Sequence, residues 1–517
     1  MHEIKDKMTT TDSLTDFAIA PELMGDEMAI QELHRVFELQ KKAFIQNFNP
    51  SANERIELMK KVEGMLRKYR SRMLEALNVD FGGHSTQQAD LIEILGMFER
   101  AKFNIANVKK WMQPIAKEVN PITYGSSKAY IQYQPKGVIG NMVAWNFPFD
   151  IAIGPMLDQL GAGNRVIIKP SDLVPVCSEL LKEMITDTFA EDQVAVITGG
   201  VELAKHFPSL KWDHLVYTGN GTVAKQVMKT AAENLVPLTL ELGGKNPVIV
   251  HEDAINDTTI SEIAGVKAVK RGQMCVTPDY CFVPEKHLDT FVEKLVKHYQ
   301  THFSENNGAT HCCGIINDRH IYRLQSLIDE AIEAGVTVIQ AGNDLKNSDR
   351  NMPFYVVVNP PMHLKMMQDE IFGPILPVIS YKNIEDVIRY INQNEKPLGL
   401  YIYAKNQVFI HKITQNTQSG GVSINALAMQ AALPSMAFGG TGGSGMGVHH
   451  GEEGFKEFSN PRGHFVKGKG GVFETIMPPY SSKTDDFIEN LGYASLGKQA
   501  LFALKMLPKN LWTRFFG

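Results

Sequence analysis

Val138-Ile139-Gly140-Asn141-Met142-Val143 is a short, mostly apolar run, and it is the first of a series. Arg165–Lys169, Val194–Thr198, His214–Thr218 and Leu238–Leu242 follow it, each separated from the last by a stretch long enough for a helix. Such alternation predicts βαβ units, because neighbouring parallel strands need a crossover and a helix is the usual one. A second series opens at Val248–His251 and continues through helical Ile255–Arg271, strand-like Tyr280–Val283 and helical Leu288–His302, past Ile371. The fold class expected is therefore α/β, with two open parallel sheets.

Outward from these series the texture changes. Between about Ala29 and Met112, Leu58, Val62, Met65 and Leu66 recur at helical spacing among Lys, Arg and Glu, which predicts amphipathic helices. After Pro121, Ala129-Tyr130-Ile131-Gln132-Tyr133-Gln134 alternates like a strand with one exposed face, an arm or an edge. Phe438-Gly439-Gly440-Thr441-Gly442-Gly443-Ser444-Gly445-Met446-Gly447 is too rich in glycine for a helix or strand. It reads as a flexible linker or, given Phe438, Phe455 and Phe458, as an ordered loop shaped by close approach.

The chain has 517 residues, 44% of them hydrophobic, enough for two or three domains at roughly 100–200 residues each. A formal net charge of −5 gives no reason to expect a nucleic-acid partner, which calls for a clustered basic surface. The five cysteines, Cys177, Cys275, Cys281, Cys312 and Cys313, are too few and too irregular for a disulfide framework, and no secretory signal opens the chain; a reducing cytoplasm is expected. Neither Cys312-Cys313 beside His311 nor His449-His450 has the spacing of a metal site, so no metal is expected. The longest apolar stretch, Val138 to Leu160, is broken by Asn141, Asn146, Pro148 and Asp150 and does not read as a membrane span. From Asn490 onward there is no acid, while Lys498, Lys505, Lys509 and Arg514 stand among Leu, Phe and Trp. That pattern suits peripheral contact with a membrane or a docked terminal helix, and Pro508 favours docking by interrupting it.

The chemistry centres on Arg271-Gly272-Gln273-Met274-Cys275-Val276-Thr277-Pro278-Asp279 and on Leu240-Glu241-Leu242-Gly243-Gly244-Lys245 upstream. A thiolate attacking a carbonyl carbon leaves a negative oxygen that needs donors. Asn146, in Trp145-Asn146-Phe147-Pro148 after the first strand of the series, suits that task together with the Cys275 N–H. Taken alone, an Asn there is more often a turn residue.

These two segments, Trp145–Pro148, Lys169-Pro170-Ser171-Asp172 and Glu370-Ile371-Phe372-Gly373-Pro374 occur in the order and spacing of the NAD(P)-dependent aldehyde dehydrogenases. The chain resembles that family over about residues 30 to 465. The Gly-rich stretch with His450-Gly451, and Cys275 to Tyr280, look like its class 3 branch, and the ensemble is most like bacterial coniferyl aldehyde dehydrogenases.

The resemblance implies a Rossmann-like cofactor domain over residues 1–243 with the N-terminal helices, and a catalytic domain over 244–435. It further implies a return crossing and oligomerisation arm over 436–470, joined by 120–136, with 471–517 as a C-terminal extension. It implies Cys275 as nucleophile, Glu241 as general base for hydrolysis of a thioester, and Asn146 as oxyanion donor. It places Glu370 on the nicotinamide ribose, Phe372 beside the nicotinamide and Lys169 on the adenosine ribose, with Trp145, Ser171, Asp172 and Leu242 also at the cofactor.

Gly219-Asn220-Gly221-Thr222-Val223-Ala224 matches a dinucleotide fingerprint with Ala in third place. The family usually has a hydroxyl residue where Gly221 stands and glycine where Ala224 stands, so backbone donation is what this segment retains. Asp172 stands where the family commonly has Glu, and its charge favours NAD over a 2′-phosphate, with NADP possible. The substrate implied is an aromatic or unsaturated aldehyde, with long-chain aliphatic aldehydes as the alternative. A homodimer or homotetramer is implied by the arm. A CoA-acylating relative would typically lack the base at Glu241, and a non-catalytic protein of the same fold would not need Cys275, Glu241 and Asn146 together.

Overall fold

The alternation of strands and helices is present in the computed structural model, which describes residues 25–303, 311–342, 350–471 and 477–506. The chain divides into two units, one formed by residues up to Val108 with Pro135–Phe458, the other by Lys109–Gln134 with the residues from Ser459 onward. The second unit carries a three-stranded sheet, in the order β1 (Ile115–Lys117), β2 (Lys128–Pro135) and β16 (Ser459–Val466). Its first pair is antiparallel, with Ile115 opposite Ile131, and Tyr130 stacks on His464 with ring centroids 4.7 Å apart. The same unit contains helices Ser482–Ile488 and Leu496–Met506. Lys498 lies on the last of these, whereas Pro508, Lys509 and Arg514 lie outside the described residues. Among the described residues no helix is long and apolar enough to cross a membrane.

The first unit contains two larger sheets. One is built from β3 (Val138–Met142), β4 (Arg165–Lys169), β5 (Val194–Val196), β6 (His214–Gly219) and β7 (Leu238–Leu242), all parallel, with the short β15 (Gly445–Met446) antiparallel on β7. The order β15-β7-β6-β3-β4-β5 means that the chain steps outward from β3 to β5, then restarts at β6 on the other side. Loops leaving β3 and β6 diverge at that switch point, which opens a crevice at the carboxyl ends of the strands. Every residue of β3 and β4 is buried, which accounts for their nearly unbroken apolar character. Helix Asp150–Ala162 is buried from Ala152 to Ala162 and reads as apolar all round for the same reason. It ends at Gly163, whose φ of 92° is the left-handed stop that glycine accepts.

The other large sheet has the order β10-β11-β12-β9-β8-β13-β14. Its strands are β8 (Pro247–Val250), β9 (Tyr280–Pro284), β10 (Thr337–Ala341), β11 (Phe354–Val358), β12 (Ile375–Tyr381), β13 (Gly399–Tyr403) and β14 (Gly421–Ile424), with β10 alone antiparallel, at one edge. Apolar clusters around Ile249, Leu324 and Ile375, and around Val248, Phe291 and Val378, form its core. The segment Gly243–Asn246 leaves the carboxyl end of β7 and enters the amino end of β8, so those two sheet edges meet there.

One expectation needs correction. The helix read from Ile255 to Arg271 is regular only over Asp257–Ala268, and Lys270 and Arg271 that follow have φ of 46° and 50°. Their side chains are buried in long-range hydrogen bonds, and tertiary contacts of that strength override helix propensity.

Candidate active site

Cys275 lies in the loop between the Val269–Gly272 turn and β9 and is partly exposed. Lys270, Arg271 and Gly272 are consecutive left-handed residues, with Gly272 at φ 72°. For the two side-chain-bearing residues this costs about 1–3 kcal/mol each, and it persists only where the surroundings dictate it. Here they do. The Lys270 N–H donates to Gln88 Oε1 at 3.0 Å, and the Arg271 guanidinium donates to the carbonyls of Cys313 at 2.6 Å and Met352 at 2.5 Å. The Gln273 amide donates to the carbonyls of Lys270 and Gly314, both at 3.0 Å, and accepts from the Ile316 N–H. At Gly272 a Cβ would fall 2.4 Å from the Gly373 carbonyl oxygen, so glycine is required by space as well as by φ.

Beyond the turn, fully buried Asn246 donates to the carbonyls of Cys275 at 2.6 Å and Thr277 at 3.0 Å and accepts from the Gly399 N–H at 2.8 Å. The Tyr401 hydroxyl donates to the Val276 carbonyl at 2.6 Å. Cys275 itself packs in an apolar cluster with Met274, Val276, Leu398, Phe147 and Phe438. Burial pushes its thiol well above the usual range, and the charges of Glu370 and Glu241 push it further.

Glu241 sits near the end of β7, paired with Thr218 on β6 and Gly445 on β15. It is only 5% exposed, yet neither carboxyl oxygen has a hydrogen-bond partner among the described residues. Burial, then the charge of Glu457, raises its pKa well above the ordinary carboxylate range. Buried polar groups are normally satisfied, so an unengaged buried carboxyl marks a site rather than a core. His449 Nε2 lies 3.8 Å from Glu241 Oε1, and burial lowers that imidazole to about 3, leaving it neutral. The Gly-rich segment brings β15 here. Gly445 has φ 140°, and a Cβ on it would fall 2.1 Å from the Leu240 carbonyl oxygen, which is the close approach expected of this segment.

Asn146 lies in the turn between β3 and helix Asp150–Ala162, and its side-chain amide donates to the Gln273 carbonyl at 3.2 Å. Trp145 meets Phe372 edge-on, with centroids 5.4 Å apart, and Phe372 has φ 50°. Glu370 accepts from the Gly244 N–H at 3.2 Å, and a Cβ on Gly243 would fall 2.1 Å from its Oε2. Burial and then Asp279 raise Glu370 to about 8. Asp279, fully buried, pairs with Lys245 and accepts from the Ile371 N–H at 3.0 Å, so it ties the Glu370 segment to the amino edge of the sheet. Asp279→Ala would leave the half-buried Lys245 ammonium held by the carbonyls of Met366 and Asp369, and is expected to lower the unfolding free energy by about 1–3 kcal/mol in urea titration.

The remaining predicted residues line the carboxyl edge of β4 and β6. Lys169 ends β4, is 4% exposed and donates to the Pro170 carbonyl at 3.1 Å; burial lowers its ammonium below the usual range, and the charge of Asp172 opposes that shift. Ser171 caps the turn by accepting from the Leu173 N–H at 3.3 Å. Gly219 ends β6, and Asn220 caps helix Gly221–Ala232 by accepting from the Val223 N–H at 2.9 Å. Ala224 packs into the core, Thr222 is exposed, and a Cβ on Gly221 would meet nothing within 4 Å. Leu242 is buried in register with Gly219.

Sequence reasoning missed Glu93, Asn246, Lys270, Arg271 and Gln273, all buried and all holding the loops that carry Asn146 and Cys275. The pair of cations directly before Gly272-Gln273 was the one available signal. The vicinal cysteines also acquire a place, since the Cys313 carbonyl receives Arg271.

The family model described as the aldehyde dehydrogenase family matches residues 26–463. The chain belongs to that family. A probable coniferyl aldehyde dehydrogenase of Pseudomonas aeruginosa is 37% identical over 469 residues, covering 91% of this dehydrogenase and 98% of the relative. Aldehyde dehydrogenase family 3 member A2 of Mus musculus is 33% identical over 430 residues, covering 83% and 87%. Among solved structures, the substrate-bound state of Staphylococcus aureus AldH superposes with a TM-score of 0.82 at 31% identity, covering 88% of this dehydrogenase and 98% of that chain.

Proposed function

We propose that this aldehyde dehydrogenase oxidises an aromatic or unsaturated aldehyde of the coniferyl type to its carboxylic acid, with NAD(P)+ as oxidant. The observation that carries the reading is the buried Glu241 carboxyl, unengaged at both oxygens among the described residues, in a chain whose one partly exposed thiol is Cys275. A base that acts after the nucleophile has been acylated needs such a free carboxyl.

The residues at the switch point fit a dinucleotide. Open space beside Gly221 at a helix start suits a pyrophosphate, and Lys169 and Asp172 suit ribose hydroxyls. Glu370 and Phe372, with Trp145, would hold the nicotinamide end, and Ser171, Gly219, Asn220, Thr222, Ala224 and Leu242 shape the wall around it. When bound, the cofactor supplies a hydride acceptor.

The Cys275 thiol loses its proton to solvent as its sulfur adds to the aldehyde carbon, and the carbonyl oxygen takes the new negative charge. Asn146 and the Cys275 N–H stabilise that oxygen. Loss of hydride from the adduct leaves an acyl thioester on Cys275. Glu241 takes a proton from water as its oxygen attacks the thioester carbon, the C–S bond breaks, and the acid departs while the thiol is restored.

Phe147 and Phe438, partly exposed in the Cys275 cluster, favour a flat unsaturated substrate through ring contacts. A panel of cinnamyl, benzyl and short- to long-chain aliphatic aldehydes, each with NAD and NADP, tests the reading. The highest kcat/KM is expected for a cinnamyl aldehyde with NAD. A best rate on long aliphatic aldehydes would replace the substrate assignment, and a best rate on a small charged aldehyde would overturn the aromatic pocket. We further assign the enzyme to the cytoplasm, in keeping with five free cysteines, and a homodimer or homotetramer built through the β1-β2-β16 sheet.

A further inference from the structure

One buried charge pair spans the two segments that carry Asn146 and Cys275. Lys270 and Glu93 have fully buried side chains, with Lys270 Nζ 2.9 Å from Glu93 Oε2. The ammonium also donates to the Asn146 carbonyl at 2.6 Å, and lies 4.2 Å from the Phe147 ring centroid and 4.9 Å from that of Phe81. Glu93 Oε1 accepts from the Phe149 N–H at 3.0 Å. The pair therefore grips the Trp145–Phe149 turn at two points, the carbonyl of Asn146 and the amide of Phe149. On its other side Lys270 belongs to the left-handed turn that leads into Cys275.

Burying such a pair gives no dependable gain in stability over apolar side chains of the same volume, so its use lies elsewhere. The Asn146 amide spends one N–H on the Gln273 carbonyl, and the direction of its second is set by the turn that the pair grips. Lys270 cannot itself reach a substrate oxygen while its ammonium is engaged by a carboxylate, a carbonyl and two rings. We propose that Lys270, held by Glu93, is a positioning residue that fixes the oxyanion donor Asn146 against the Cys275 loop. This rests on the reading of Asn146 given above. A misplacement of about 1 Å in such a donor can cost on the order of 100-fold in rate.

The test is a double-mutant comparison that keeps the interior free of stranded charge. Glu93→Gln/Lys270→Met is made in the parent and in Asn146→Ala, with kcat, the KM for aldehyde and cofactor, and the melting profile measured for each. In the parent, kcat is expected to fall about 10- to 100-fold with both KM values nearly unchanged. In Asn146→Ala the same change is expected to cost less than about twofold, because the group it positions is gone. A full kcat in Glu93→Gln/Lys270→Met, with Asn146→Ala slow, would overturn the positioning role alone. An equal loss in both backgrounds would do the same, since a general loosening of the fold adds. Full activity of Asn146→Ala would instead overturn the oxyanion assignment, and this role with it. Should Lys270→Met not fold, Glu93→Gln/Lys270→Gln, which keeps a donor in place, decides the matter. It is expected to lose at least about threefold in the parent and nothing in Asn146→Ala, and equal losses or no loss overturn the role.

Discussion

Cys275→Ala is expected to lower aldehyde-dependent cofactor reduction by on the order of 10⁴-fold or more, the scale on which loss of a nucleophile acts. No other thiol can take its place. Cys177, Cys281, Cys312 and Cys313 are all buried, out of reach of an aldehyde. Cys275 alone is partly open, and its loop is held by backbone-directed hydrogen bonds from Asn246 and Tyr401 that do not involve its sulfur. The alanine variant should therefore keep its melting temperature and its affinity for the cofactor. A residual rate within about tenfold of the parent would remove Cys275 from the reaction, since one such factor is only about 1.4 kcal/mol of barrier.

Glu241→Gln is expected to slow turnover by about 10²- to 10⁴-fold, the usual contribution of a general base, while leaving the first half of the reaction in place. Rapid mixing should show a burst of about one reduced cofactor per active site, followed by a near halt as thioester accumulates. Absence of the burst would move Glu241 to an earlier step. The pH dependence carries a sign. Burial and Glu457 raise the carboxyl in the folded protein, so at low pH it holds its proton and cannot take one from water. In the parent, kcat should rise with pH along a limb that lies above the ordinary carboxylate range, and Gln should abolish that limb. Stability runs the other way. The preference of the fold for a neutral carboxyl contributes fully below its unfolded pKa and is lost as pH rises through the folded one. The Gln variant should thus melt no lower than the parent at alkaline pH.

Much of this arrangement was legible in the sequence, for identifiable reasons. Strands such as β4 and β8 are buried throughout and so appear as apolar runs, and distinctive residues stand at or just beyond the strand ends, with Trp145 after β3, Lys169 closing β4 and Gly219 closing β6. The helix read as far as Arg271 failed because nothing local announces that Lys270 and Arg271 turn inward. Their partners, Glu93 and the carbonyls of Asn146, Cys313 and Met352, are distant in the chain. Glu93 was invisible for the same reason: a glutamate in a helical stretch is ordinarily a solvated one. Asn246 escaped notice because its work is done on backbone carbonyls, which leave no mark in composition.

The anchors of the Cys275 loop have a temporal meaning. Gln88 and Glu93 reach Lys270 across 182 and 177 residues, Asn146 across 124, and Met352 reaches Arg271 across 81. No local element can form this loop, and closures of such length are made only as non-local contacts accumulate during folding. The Cys275 loop therefore takes its shape only once segments far apart in the chain have packed together. A nascent or partly unfolded chain carries the same thiol without this frame around it, so, on the role proposed for Cys275, catalytic activity is expected to report completed folding.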